Sequence, residues 1–227
     1  MKRILKYFSL FELVLWIGSM ILMITVFYLF NNTEYLYLIG SLIGSTAVIF
    51  VSKANPIGQL LTIIFAIFYG IISYSFKYYG EMITYLGMTA PIAFLAIIAW
   101  LKHPYQGKKS EVTVNSLTKN EYLKIMIFGF FISISFYFIL GYFDTSYLII
   151  STLSVYTSFV ASYLTMKRSK HYAIAYAVND IVLIILWTLA SLSDTSYIAL
   201  VICFIAFLCH DVYGYINWSR IHKKQQL

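Results

Sequence analysis

Residues Ile125 to Phe143 read IMIFGFFISISFYFILGYF, an uncharged run set between Lys124 and Asp144. As an α-helix rising about 1.5 Å per residue it is about 28 Å long, close to the hydrocarbon thickness of a bilayer. Outward from it lie seven more runs bounded by charges, Gly, Pro, Asn or Ser/Thr clusters: roughly Leu13 to Phe30, Leu36 to Val51, Ile57 to Phe76, Met82 to Leu101, Tyr147 to Leu164, Tyr172 to Leu192 and Tyr197 to Ile216. The pattern predicts an all-α polytopic membrane protein of about eight transmembrane helices. Spacers are short except between Lys102 and Tyr122, where His103, Pro104, Lys108, Lys109, Glu111 and Lys119 divide the chain near its midpoint.

Composition agrees with this reading. The 227 residues are 61% hydrophobic, 19% aromatic and only 11% charged, with a mean hydropathy of +0.80; soluble domains carry about a quarter charged residues. A soluble single domain, a disordered tail and a disulfide scaffold are excluded. A net charge of +7 could suit a nucleic-acid binder, so the position of the charges matters. Assigned to alternate loops, 15 of the 16 Lys and Arg fall on one side: Lys2, Arg3 and Lys6; Lys53; Lys102, Lys108, Lys109, Lys119 and Lys124; Lys167, Arg168 and Lys170; Arg220, Lys223 and Lys224. Only Lys77 is opposite, and the opposite turns Asn31–Glu34, Gly80-Glu81, Asp144–Ser146 and Asp194–Ser196 each carry one acid. The positive-inside rule then puts both termini in the cytoplasm of a bacterial-type plasma membrane, with lipid rather than nucleic acid as the partner; a seven-span count spoils the bias.

The opening Met1-Lys2-Arg3 and the apolar run behind it imitate a signal peptide, but Glu12 and Trp16 interrupt the run and no small-residue cleavage site follows. It reads as a retained first span. Cys203 and Cys209, six residues apart on one helix, point to different sides and read as buried space-fillers, not as a disulfide or metal pair.

The two halves resemble each other. Setting Trp100 on Trp218 puts Tyr69 on Trp187, Pro91 near Cys209 and Thr62 opposite Asp180, and Tyr37-Leu38-Ile39 resembles Tyr147-Leu148-Ile149. The expected plan is an extra N-terminal helix (8–31), a three-helix repeat (35–103), a linker helix (122–143) and a second three-helix repeat (146–219). One linker span makes the repeats parallel, a frame common in small transporters whose substrate lies near the midplane between repeats. Chance likeness between apolar triplets is the other reading.

Three acids fall inside the spans. Glu12 sits near the inner surface and can snorkel toward Lys6 or the headgroups. Asp180 is near mid-bilayer in the seventh run, where an ionised Asp costs about 2.5–3.5 kcal/mol on insertion scales and so needs a wet cavity or a partner. Tyr176, Asn179 and Trp187 surround it on its helix, while the last run carries His210, Tyr213 and Asn217 on one stripe and Asp211, Tyr215 and Trp218 on the next. Aromatic rings, two carboxylates, an amide and an imidazole suit a small aromatic cation or riboside, which would stack on the rings and give its hydroxyls to the carboxylates. The substrate-binding candidates are therefore Tyr176, Asn179, Asp180, Trp187, His210, Asp211 and Tyr213. Structural hydrogen bonding between helices is the alternative for Asp180 and His210, and a proton relay is another for His210. Pro91 breaks the fourth run and is expected to supply a kink used in gating. Gly40 and Gly44 form a GxxxG that reads as close helix packing. No metal is expected, since His103, His171 and His222 all lie at the cytoplasmic edge; no cofactor is expected either.

From about Trp16 to Trp218 the chain resembles the PnuC family of bacterial nicotinamide riboside transporters, which share the fold of SWEET sugar transporters. The resemblance is carried by Tyr79-Gly80-Glu81-Met82 followed by Pro91 and Trp100, and by the closing Val212-Tyr213-Gly214-Tyr215-Ile216-Asn217-Trp218. It implies a three-plus-one-plus-three helix core, a homotrimer, and facilitated diffusion with the vitamin trapped by a cytoplasmic kinase. The family's Trp-x-x-Trp-x-x-x-Asn substrate pattern falls here on Ala173, Tyr176 and Asp180, and positions often filled by Asn and Gln fall on Tyr85 and Ala93. The expected function is uptake of a small aromatic vitamin or nucleoside, nicotinamide riboside first, with a deoxyribonucleoside, thiamine or riboflavin as alternatives. A polytopic membrane enzyme using His210 with Asp211 or Asp180 ranks lower, because no nucleophile-and-base spacing or metal motif accompanies them. A light- or ligand-sensing receptor ranks lower still, since the last spans hold no mid-membrane Lys for a Schiff base.

Overall fold

The computed structural model describes residues 7–30, 35–75 and 79–227. The basic Lys2, Arg3 and Lys6, the lone opposite Lys77 and the Asn31–Glu34 turn lie outside the described residues. The helices are α1 (Leu10–Leu29), α2 (Tyr35–Ser52), α3 (Ile57–Ser75), α4 (Tyr79–Lys102), α5 (Lys119–Tyr142), α6 (Leu148–Met166), α7 (Tyr172–Ser191) and α8 (Ile198–Gln225). Among the described residues, seven of these are long and apolar enough to cross a membrane, and α3 carries a shorter apolar stretch, Ile57–Ile71. The chain is a multi-pass membrane protein. Its outward faces are apolar, as lipid requires: on α5 alone Phe128, Phe130, Phe131 and Phe138 are exposed.

Local sequence sets the ends. Ser9 and Glu12 form a capping box at the start of α1, and Thr118 and Glu121 form another at α5, each satisfying two N–H donors that a helix start leaves open. α5 thus begins six residues before the uncharged run. In α4 the segment Tyr85–Thr89 is π-helical, with the Ala90 N–H bonding back to the Tyr85 carbonyl. Pro91 follows at once and has no N–H to give, so the wider turn comes where the regular ladder is already broken. Pro91 itself faces outward rather than into the bundle.

The long spacer is not an open loop. Pro104–Tyr105 (β1) pairs antiparallel with Lys108–Val112 (β2), and the residues that follow are strapped across the basic end of the bundle. The Val112 N–H donates to the Ala54 carbonyl and the Asn115 N–H to the Arg168 carbonyl, both at 2.9 Å. Ala54 and Arg168 are both left-handed, at φ 55° and 59°, and each closes the same turn: Asn55 N–H to Phe50, and Ser169 N–H to Leu164. Two turns 114 residues apart therefore share one conformation and one kind of partner. Beside the second, the Tyr122 hydroxyl lies 2.6 Å from His171 Nδ1; burial, then the nearby Lys170 and His222 charges, lower the His171 pKa.

The same exchange occurs between α4 and α8. Trp100 Nε1 on α4 donates to the Thr165 carbonyl at the end of α6, and Trp218 Nε1 on α8 donates to the Val51 carbonyl at the end of α2. The two indoles are fully buried and meet with ring centroids 5.5 Å apart. In the turn register Thr62 matches Tyr176 and Ala66 matches Asp180; the sequence alignment that set Thr62 against Asp180 is four residues out there, because the chain between the turn and the tryptophan is four residues longer in the second half.

Candidate ligand-binding site

α7 presents Tyr172, Tyr176, Asn179, Asp180 and Leu183 at helical spacing on one face, and that face borders a cavity of about 690 Å³, counted to its open mouths. Across it stand Gln59, Thr62 and Phe65 of α3, Tyr85 and Thr89 of α4, and Phe204, Phe207 and Asp211 of α8. Gly44 makes room for this wall: a Cβ there would lie 2.6 Å from Phe207 and 3.1 Å from Phe65. Phe65 meets Tyr85 and Phe207 edge-on, so the wall offers several aromatic faces and edges.

Polar groups stand on both of these walls. Asp180 and Asp211 are 3% and 4% exposed and approach within hydrogen-bonding reach of each other. A hydrogen bond between two carboxyl groups needs a proton on one of them and leaves further oxygens able to accept. Asp180 Oδ2, Tyr172 Oη and Thr89 Oγ1 are buried yet make no hydrogen bond. Leaving such groups bare costs about 1–3 kcal/mol each, and all three line the same cavity. Asn179 and Tyr176 are already engaged, at 2.8 Å from the Thr157 hydroxyl and 3.0 Å from the Ser162 hydroxyl.

Of the seven residues singled out by sequence, Tyr176, Asn179, Asp180 and Asp211 come together here. The other three point elsewhere. His210 is fully buried against α1 and α2, its Nε2 3.0 Å from the Ser19 hydroxyl, which lies 2.9 Å from that of Ser45. Tyr213 donates to Glu12. A helix turns about 100° per residue, so the stripe of His210 and Tyr213 faces α1 while Asp211 faces the cavity. Trp187 lies two turns along α7 and meets Tyr197 at a tilt, with ring centroids 5.4 Å apart. Glu12 does not snorkel: it is 2% exposed, its Oε1 2.8 Å from Lys53 Nζ. Cys203 is buried as expected, but Cys209 is exposed. Tyr172 and Thr89 were missed, although Tyr172 continues the Tyr176–Asp180 face by one more turn.

The model of the family described as nicotinamide mononucleotide transporter matches residues 34–220. The chain belongs to the nicotinamide mononucleotide transporter family. It is 29% identical over 206 residues to the nicotinamide riboside transporter PnuC of Neisseria mucosa, covering 88% of this chain and 77% of that one. The PnuC of Haemophilus influenzae is 23% identical over 212 residues, covering 93% and 91%. A crystal structure of the vitamin B3 transporter PnuC superposes with a TM-score of 0.83 at 26% identity, over 96% of this chain and 94% of the other. Membership places the residues of this chain in a transporter frame, and the cavity lies between the helices of its two halves.

Proposed function

We propose that this chain takes up nicotinamide riboside, or a closely similar cationic aromatic vitamin, by facilitated diffusion through the cavity between α2–α4 and α6–α8. The carrying observation is the convergence of Asp180 Oδ2, Tyr172 Oη and Thr89 Oγ1, three buried polar atoms without partners, on one aromatic-walled cavity. Ribose hydroxyls supply the donors that Asp180 lacks, a hydroxyl oxygen can accept from Tyr172 or Thr89, and the ring lies against the phenyl and phenol side chains. Asp180 replaces an amide of the family pattern, and a carboxylate suits a positively charged ring as well as hydroxyls. The two relatives named for nicotinamide riboside transport support this choice of ligand.

The test is uptake and binding by Asp180→Ala, which removes both acceptor oxygens; Asn, the amide of the family pattern, would keep one. A charge-assisted hydrogen bond is worth about 1.5–3 kcal/mol, so ligand affinity should fall about ten- to hundredfold while the variant still purifies folded. Thermal-shift titration of the parent protein against nicotinamide riboside, thiamine, riboflavin and a deoxyribonucleoside identifies the ligand. Stabilisation by any of the other three alone overturns nicotinamide riboside, and unchanged uptake by Asp180→Ala overturns the site.

The same reading carries the plan of two parallel repeats, 35–103 and 146–219, with a linker helix at 122–143 and an added helix at 8–31. The matching turns at Ala54 and Arg168 and the exchanged tryptophan bonds support it. So do the cavity-lining pairs Gly44 and Ser158, Thr62 and Tyr176, and Phe65 and Asn179, each 114 residues apart. By the charge bias both termini face the cytoplasm. By the family resemblance the protein is a homotrimer whose imported vitamin is trapped by a kinase.

A further inference from the structure

Glu81 stands in the first turn of α4, at the end of the bundle away from the basic loops, and is only 8% exposed. A carboxylate so far from water ordinarily has a cation or several N–H donors beside it. Among the described residues the ion pair is Lys53 with Glu12 at the other end, and no side chain bonds to Glu81. Its position is fixed by Gly80, where any side chain would strike Leu140 and the Thr145 hydroxyl, so α4 is pressed against the turn between α5 and α6.

Glu81 also lies where two cavities meet. A vestibule of about 820 Å³, counted to its open mouth, is lined by Glu81 with Thr145, Tyr147, Ser151, Trp187 and Ser193. A narrow pocket of about 210 Å³ continues inward past Glu81 and Thr84 to Tyr85, Ser158, Asn179 and Leu183, and these last four also line the central cavity. A ligand coming from the end opposite the basic loops therefore meets an indole, hydroxyls and a carboxylate that has no partner among the described residues before it reaches Asp180. In a narrow cleft with low-dielectric walls a single charge is focused on whatever enters.

We propose that this vestibule is a second, outer subsite that takes a cationic aromatic ligand, with Glu81 as the group that selects positive charge ahead of the central cavity. The identity of the ligand rests on the transport reading above; the selection of charge does not. In proteoliposomes, Glu81→Gln should raise the apparent KM for nicotinamide riboside about tenfold, the low end of electrostatic focusing, and leave uptake of its uncharged dihydro form as in the parent. Equal loss for both forms, or an unchanged KM for the cation, overturns the subsite. A second measurement is independent of transport: Ser193→Cys is introduced into protein carrying Cys203→Ala and Cys209→Ala. The trimethylammonium methanethiosulfonate should modify it faster than the sulfonate reagent, and Glu81→Gln should bring the two rates together. A parent that carries neither riboside refutes the transport reading alone; a rate ratio unmoved by Glu81→Gln refutes the subsite.

Discussion

Lys53 and Glu12 show how one residue pair fixes α1 to the rest of the bundle. Lys53 Nζ reaches both Glu12 oxygens at 2.8 and 3.0 Å, the Ser9 N–H is 2.6 Å from Oε2, and the Tyr213 hydroxyl donates to Oε1. The carboxylate is thus saturated by groups from α1, α8 and the α2–α3 turn. Glu12→Gln removes the charge and strands the ammonium, a loss of about 3–5 kcal/mol for a fully buried pair and less here because Lys53 keeps some exposure. The expected result is a clearly lower melting temperature in detergent, with most of it restored by adding Lys53→Met. An unchanged melting temperature for Glu12→Gln alone would refute the anchoring role. Asp180 makes a contrasting case: its bare oxygen is turned toward a cavity rather than a partner, so its substitution should tell on ligand binding and not on folding.

At the scale of elements, a close approach of backbone to backbone sets the packing of α2 on α3. A Cβ on Gly58 would lie 2.5 Å from the Val51 nitrogen and 3.0 Å from the Ala47 carbonyl. Backbone cannot step aside as a side chain can, so Gly58→Ala should destabilise by about 1–3 kcal/mol, the range for overpacking. It should also disturb Ala47 and Val51, which line the cavity, so thermal unfolding and ligand affinity should fall together; a wild-type melting temperature would sink the idea. The spans themselves were legible in the sequence, because runs of some twenty apolar residues have no other stable state in lipid. The strap that the central spacer forms was not, since it depends on partners distant in sequence: Val112 finds its acceptor at Ala54 and Asn115 finds one at Arg168.

For the whole molecule, the joint between halves is the exchanged pair Trp100 and Trp218. Each indole N–H satisfies a carbonyl in the other half, Trp100 at the end of α6 and Trp218 at the end of α2, at 2.9 and 2.8 Å. Trp→Phe at either position should cost about 1–3 kcal/mol, the penalty for an acceptor left bare in the interior. Because the rings touch, the two losses should not add: the double variant should show a coupling of about 0.5 kcal/mol or more in a thermal double-mutant cycle. Strict additivity would mean that the two halves are held independently. The hairpin strap at the basic end closes the same joint from outside, through Val112, Asn115 and Gln225, whose Oε1 accepts from the Val114 N–H at 2.8 Å.

The sequence by itself determined the membrane class, the order of the spans, the side on which basic residues gather and the presence of deep carboxylates, because each follows from local composition and the cost of charge in lipid. It also carried Asp180 with Tyr176 and Asn179 as one helical face. Only the tertiary structure decided that Asp211 turns toward that face while its neighbour His210 turns to Ser19 and Ser45, and that Glu12 belongs to Lys53. Helical spacing tells which residues share a stripe, but which neighbour that stripe meets depends on the rotation of each helix in the bundle, and that is settled by packing among the helices.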